Sequence, residues 1–259
     1  MAHTEIQSLI NGFIEPLRKE QCYTNEKTLA HELFELEKAL TKSVAKGSLL
    51  HKATENSLFK CVVNTAKLKL SLRASLNEVK IVGINDRITN SVEAKLMVSA
   101  TGMARALNRS NAGFTIEALK IVFSDEEVSW NGCTEESILA ERYTLPTSQL
   151  KGSVMGSVAV IASENTKMVI TVTAEEILEL ARLNGMTGNQ INTEFFLVHT
   201  LKRVLKNLVT NNESVQLLAE IAGELDEFLF QNKNSSKYSS KYFKTESIDQ
   251  SRQHIIDNQ

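Results

Sequence analysis

Between residues 60 and 110 the sequence concentrates nine basic residues, Lys60, Lys67, Lys69, Arg73, Lys80, Arg87, Lys95, Arg105 and Arg109. Three acids, Glu78, Asp86 and Glu93, stand among them, so the window is +6. A second stretch, 195–212, holds Lys202, Arg203 and Lys206 and no acid, another +3. The whole chain carries -2, which leaves -11 for the remainder. Two cationic segments in an otherwise acidic chain can build a positive groove, and the chemistry open to them is the gripping of phosphates. The plainer reading of the same charges is a set of solvated lysines scattered over the surface.

Spacing sharpens the first reading. His199, Lys202, Arg203 and Lys206 follow at i, i+3, i+4 and i+7, one face of a helix. Leu197, Leu201, Val204, Leu205 and Leu208 form an apolar stripe on another face, so one side can pack while the other meets an anion. Arg105 and Arg109 are four apart with Asn108 beside them. Lys69 and Arg73 have the same spacing on an expected helix, with Lys67 pointing elsewhere. The 60–110 window contains no Phe, Tyr or Trp. Single-strand binders of the OB or RRM type stack bases on such rings, at about 1–3 kcal/mol per base. A backbone grip that leaves base edges free suits this composition better.

Catalytic patterns are sparse. No G-x-x-x-x-G-K-[ST] is present, so an ATPase phosphate cradle is unsupported. Ala100-Thr101-Gly102-Met103-Ala104-Arg105 has a single glycine and reads as a tight strand-to-helix turn. His31-Glu32 lacks the second histidine of a zinc protease, because position 35 is Glu. A nuclease would need convergent carboxylates; Asp125, Glu126, Glu127, Glu135 and Glu136 are the candidates for that alternative. Cys22, Cys61 and Cys133 share no metal-ligand spacing and read as free thiols of a reducing cytoplasm. No apolar run approaches the roughly 20 residues that cross a bilayer, and MAHTEIQSLINGF does not read as a secretory leader.

The elements that must position these residues follow from periodicity. TLAHELFELEKALTKSVAK sets Leu29, Leu33, Leu36 and Leu40 at helical spacing, with Gly47 as the stop. A second helix is expected over 56–71, with Val63, Ala66 and Leu70 inward. Residues 78–84 and 92–99 alternate as strands. A short helix, MARALNRS, closes at Asn111-Ala112-Gly113, and 114–123 and 126–130 read as further strands. Residues 131–152 read as loop. A hairpin turns at Glu164-Asn165-Thr166, and Thr173 with Glu176 makes a capping box for AEEILELARL. A loop over 184–193 precedes the basic helix of 193–209, and a last helix is expected over 213–230, before a polar tail from 232. The order predicts an α+β fold with a mostly antiparallel sheet. The expected parts are a helical segment, 1–55, for protomer contacts; a core, 56–210; a helix, 211–231; and a flexible tail, 232–259.

Four stretches in this order resemble the RecT family. CVVNTAKLKLSLRASLNEVKIVGIND is similar to its opening helix-loop-strand, and VEAKLMVSATGMARALNRSNAGFTIEALKIVFSDEEVSWNG to its central segment. GSVMGSVAVIASENTKMVITVTAEEILELARL resembles the hairpin and helix that follow. TEFFLVHTLKRVLKNLV resembles the last helix, with Lys202-Arg203 and Lys206 on its basic positions. Ala100 and Thr101 stand where the family has an aromatic and a basic residue. The resemblance spans about 57–210. It implies ATP-independent annealing of complementary single strands in recombination, with no catalysis and no cofactor or metal. It also implies ring or helical-filament homo-oligomers, single-stranded DNA and the annealed duplex as ligands, and a 5′–3′ exonuclease partner in the cytoplasm of a phage or prophage host. The expected DNA-binding residues are Lys67, Lys69, Arg73, Lys80, Arg105, Arg109, Lys202, Arg203 and Lys206. The alternatives are a metal-dependent nuclease and a non-DNA assembly protein.

Overall fold

The structure, a computed structural model, describes residues 3–23, 25–86, 90–123, 154–163, 166–183, 192–208 and 210–231. The fold is α+β. Helix α1, His3–Lys19, buries Ile6, Ile10, Phe13 and Leu17. Helix α2, Glu26–Lys46, buries the four leucines read from its spacing. Asn25 caps it by accepting the Thr28 N–H at 2.9 Å. Gly47 ends it in the left-handed region (φ 64), where a side chain would be strained. A 3-10 turn, Leu50–Lys52, leads to α3, Glu55–Lys67.

Strand β1, Val79–Asp86, pairs antiparallel with β2, Ser91–Val98, from Val79 opposite Val98 to Asp86 opposite Ser91. Helix α4, Ala100–Arg109, is capped by Ser99 Oγ, which accepts the Gly102 N–H at 2.9 Å. Strands β3, Phe114–Phe123, β4, Val154–Ser163, and β5, Lys167–Thr173, form an antiparallel sheet in that order. Then come α5, Ala174–Leu183, α6, Thr193–Asn207, and α7, Glu213–Gln231. Helix α3 packs on β2, and α6 lies across β3, β4 and β5. One core joins α1 and α2 to the later elements, through Leu17, Leu36, Leu58, Val98, Leu107, Ile161 and Leu201.

The chain divides into a unit of Met1–Leu225 and a second of Asp226–Gln259. The end of α7 is the described part of the second unit. The expected strand at 126–130, the loop over 131–152, the tail, Arg87, Cys133 and the acids of the nuclease alternative lie outside the described residues.

Two expected boundaries are corrected. Helix α4 starts at Ala100, three residues before the expected Met103, because Ser99 provides the cap. Helix α3 stops at Lys67 instead of reaching 71. Lys69 adopts φ 55, and its N–H donates to the Ala66 carbonyl at 2.8 Å while Leu70 N–H donates to Thr65 at 3.0 Å. This turn buries Leu68 and Leu70 together. A continuing helix would set them about 200° apart, on opposite faces.

Candidate nucleic-acid interface

The turn after α3 is where the basic residues begin to converge. Lys69 and Arg73 do not share a helix: Lys69 sits in the left-handed turn, and Arg73 precedes a 3-10 turn, Ala74–Leu76. Two buried carboxylates pin this segment. Glu32 of α2 accepts the Ser71 hydroxyl at 2.6 Å and the Leu72 N–H at 2.7 Å. Glu78 accepts the Ser71 N–H at 2.8 Å through Oε2. Its other oxygen, Oε1, takes Arg105 at 2.7 Å and Arg109 at 3.4 Å. A carboxylate with a 1% exposed side chain is costly unless paired, and the two arginines of α4 pair it.

The guanidiniums remain accessible, with side chains 42% and 45% exposed. Arg109 also donates to the Lys69 carbonyl at 2.6 Å, and Lys69 Nζ donates to the Arg109 carbonyl at 3.1 Å. Three cations therefore gather beside the two buried carboxylates, Glu78 and Glu32, leaving a net +1 on an accessible edge. Each arginine has five N–H donors, so donors remain for an incoming oxyanion. Placement of α4 itself depends on Gly102, whose missing Cβ would fall inside contact distance of the Glu78 carbonyl oxygen. The Ala100 N–H meets Glu194 Oε1 at 2.6 Å, a carboxylate at a helix N-terminus.

Arg203 belongs to a different ion pair. Its Nη2 meets Glu176 Oε1 at 2.7 Å and its Nη1 donates to the Thr171 carbonyl at 2.9 Å. Glu176 also closes the expected capping box: it accepts the Thr173 N–H at 2.9 Å, and its own N–H donates to Thr173 Oγ1 at 3.3 Å. Burial pushes the Glu176 carboxyl up, but the Arg203 and Thr173 hydrogen bonds outweigh it and hold the group below the ordinary value. Lys202 is half-buried and Lys206 exposed on the same helix, and both engage other groups. Lys67 ends α3, exposed, and Lys80 is exposed on β1 opposite Met97.

Sequence reasoning missed the organising acids. Glu78 counted as a subtraction from the basic window, although its place next to an apolar strand hinted at burial. It also missed Lys38, Lys42 and Lys46, spaced by four along α2, because the acids of the same helix cancel them. Cys61 is a buried free thiol, pushed up to about 12 by burial against the pull of Lys95 and Lys60, and Cys22 is half-buried. Among the described residues no group of three or more His, Cys, Asp or Glu side chains could hold a metal ion. No described helix is long and apolar enough to cross a membrane.

The family model described as the RecT family matches residues 35–195, well over half of the chain. The chain belongs to the RecT family. RecT proteins bind single-stranded DNA and anneal it in recombination, and they are annealing proteins rather than classical enzymes. The matched span starts within α2 and ends in the first turn of α6, so it contains Lys69, Glu78, Arg105 and Arg109. No curated protein and no solved structure matches the chain.

Proposed function

We propose that this RecT-family chain grips single strands by their phosphates and anneals complementary ones without ATP, through a homo-oligomer lined by basic side chains. The observation that carries the reading is the Arg105–Arg109–Lys69 cluster, preset by buried Glu78 within the family's span. Phosphate contacts neutralise repulsion between two backbones and leave base edges free to pair. Base stacking then supplies about 1.4 kcal/mol per step, so a few tens of matched bases drive annealing without nucleotide hydrolysis. Lys67, Arg73, Lys80, Lys202, Arg203 and Lys206 extend the grip beyond the cluster. The partners on this reading are single-stranded DNA, the annealed duplex, further copies of the chain, and a 5′–3′ exonuclease in a bacterial cytoplasm.

The test is annealing of two complementary labelled oligonucleotides, followed by fluorescence without ATP, with the product then imaged. Accelerated annealing together with rings or filaments supports the proposal. Failure to accelerate, or magnesium-dependent cutting of the labelled strand, overturns it.

A further inference from the structure

Among the described residues β5 has one neighbour in its sheet, β4, and its other edge faces outward. The hairpin turn fixes which groups point there. Ser163 N–H donates to the Thr166 carbonyl at 2.8 Å, so these two residues face each other as a hydrogen-bonded pair. Alternation along the register then turns the backbone groups of Lys167, Val169, Thr171 and Thr173 away from β4. Side chains meet two of those groups. Arg203 Nη1 donates to the Thr171 carbonyl at 2.9 Å, and Glu176 Oε2 accepts the Thr173 N–H at 2.9 Å. The two side chains are themselves joined, Nη2 to Oε1, at 2.7 Å. A carbonyl and the N–H two residues on are the groups that one residue of a parallel fourth strand would engage. The guanidinium supplies that residue's donor and the carboxylate its acceptor. Both side chains are accessible, at 40% and 42%, so they stand where such a strand would arrive.

Other edges are closed by the same means. Asn108 of α4 accepts the Ile116 N–H at 2.7 Å and donates to the Ile116 carbonyl at 3.4 Å, on the side of β3 away from β4. On β2, Thr54 N–H donates to the Val92 carbonyl at 2.9 Å, and Ser57 Oγ accepts the Ala94 N–H at 2.8 Å. Each substitute comes from a helix or its cap.

We propose that the Arg203–Glu176 pair is an edge lock that keeps β5 from pairing with β5 of a second copy of this chain. The strand's own sequence says why a copy is the intruder. Lys167–Thr173 reads KMVITVT, with three β-branched residues and one more at its end, a single charge, and neither Gly nor Pro. Six- or seven-residue segments of that composition stack on copies of themselves once an edge is open. The single charge, Lys167, is paired with Glu117 at 3.1 Å, which lowers the repulsion between two such strands. Arg203 thus has a task in the protein without DNA, beyond the phosphate grip expected from its place on a basic helix.

The experiment follows thioflavin fluorescence and light scattering of the full-length protein without DNA. Arg203→Met uncovers the Thr171 carbonyl and keeps the Thr173–Glu176 box, whereas Glu176→Ala also uncovers the Thr173 N–H. Glu179→Ala, which removes an exposed acid paired with Arg182 on the same helix, controls for charge. Ile221→Val, a small truncation of a buried side chain in α7, controls for lost stability. Both lock variants should form thioflavin-positive assemblies several-fold sooner than wild type, and both controls should behave as wild type. Adding Val169→Pro to Arg203→Met should restore wild-type behaviour, because proline removes an outward N–H and leaves the β4 ladder intact. Lock variants as quiescent as Glu179→Ala overturn the proposal. Ile221→Val assembling as fast as they do overturns it in favour of general instability. Assembly that persists with Val169→Pro overturns the assignment to β5.

Discussion

Glu78 shows how a buried acid can serve a basic surface. Its carboxylate fixes two guanidiniums whose freedom would otherwise have to be given up on contact with DNA. Immobilising such side chains costs about 0.5–1.5 kcal/mol each, so two preset arginines are worth about 1–3 kcal/mol of affinity. Glu78→Gln tests this with opposed signs. Charge counting alone predicts tighter binding, because a negative charge is lost. Presetting predicts binding about tenfold weaker in an oligonucleotide titration, and a tighter complex would refute it. Lys69→Gly separates binding from folding at the adjacent position. Glycine relieves the left-handed backbone at φ 55, so the variant should unfold at the same or higher denaturant, by about 1 kcal/mol. With its ammonium gone, single-strand binding should nonetheless weaken.

Among elements, α4 is the one whose seating governs the cluster. Gly102→Ala forces a Cβ against the Glu78 carbonyl, and backbone cannot yield as a side-chain tip can. Overpacking of this kind costs about 1–3 kcal/mol, to be read as a lower thermal midpoint. The α5–α6 contact gives a pH signature. Glu176 has a depressed carboxyl in the folded state, so its contribution is present above the unfolded value of about 4.3 and is lost as pH falls below it. Arg203→Gln should flatten that loss in urea midpoints taken from pH 6 to pH 3; an unchanged profile would show that the pair does not couple to folding. Much of this level was legible beforehand. The α2 leucines, the alternation within each strand and the Thr173–Glu176 box each rest on spacings of a few residues, which the sequence displays. The end of α3 was not, because a lysine took the left-handed turn that glycine usually marks. Nor was the meeting of Glu78 with Arg105 and Arg109, which lies 27 and 31 residues along the chain and is decided by how β1 and α4 pack.

At the scale of the whole molecule the charge total misleads, since a chain at -2 presents separated positive surfaces. Binding should therefore depend steeply on salt, with a slope of roughly -0.7 for each phosphate neutralised. It should differ little between oligonucleotides of equal length and different sequence, because phosphate contacts carry no base information. Titrations at several salt concentrations on two unrelated sequences check both expectations. A flat salt response, or a strong base preference, would remove the backbone grip as the basis of function.

The position of Glu78 also sets an order of events during synthesis. The ribosome delivers this acid well before the arginines that neutralise it, so a nascent chain ending near residue 100 would have to bury an uncompensated charge to close β1 against the helices. On this account the N-terminal half should stay open until α4 emerges. Stalled chains released just before Arg105 should be protease-sensitive, and chains that include α4 should gain protection in one step.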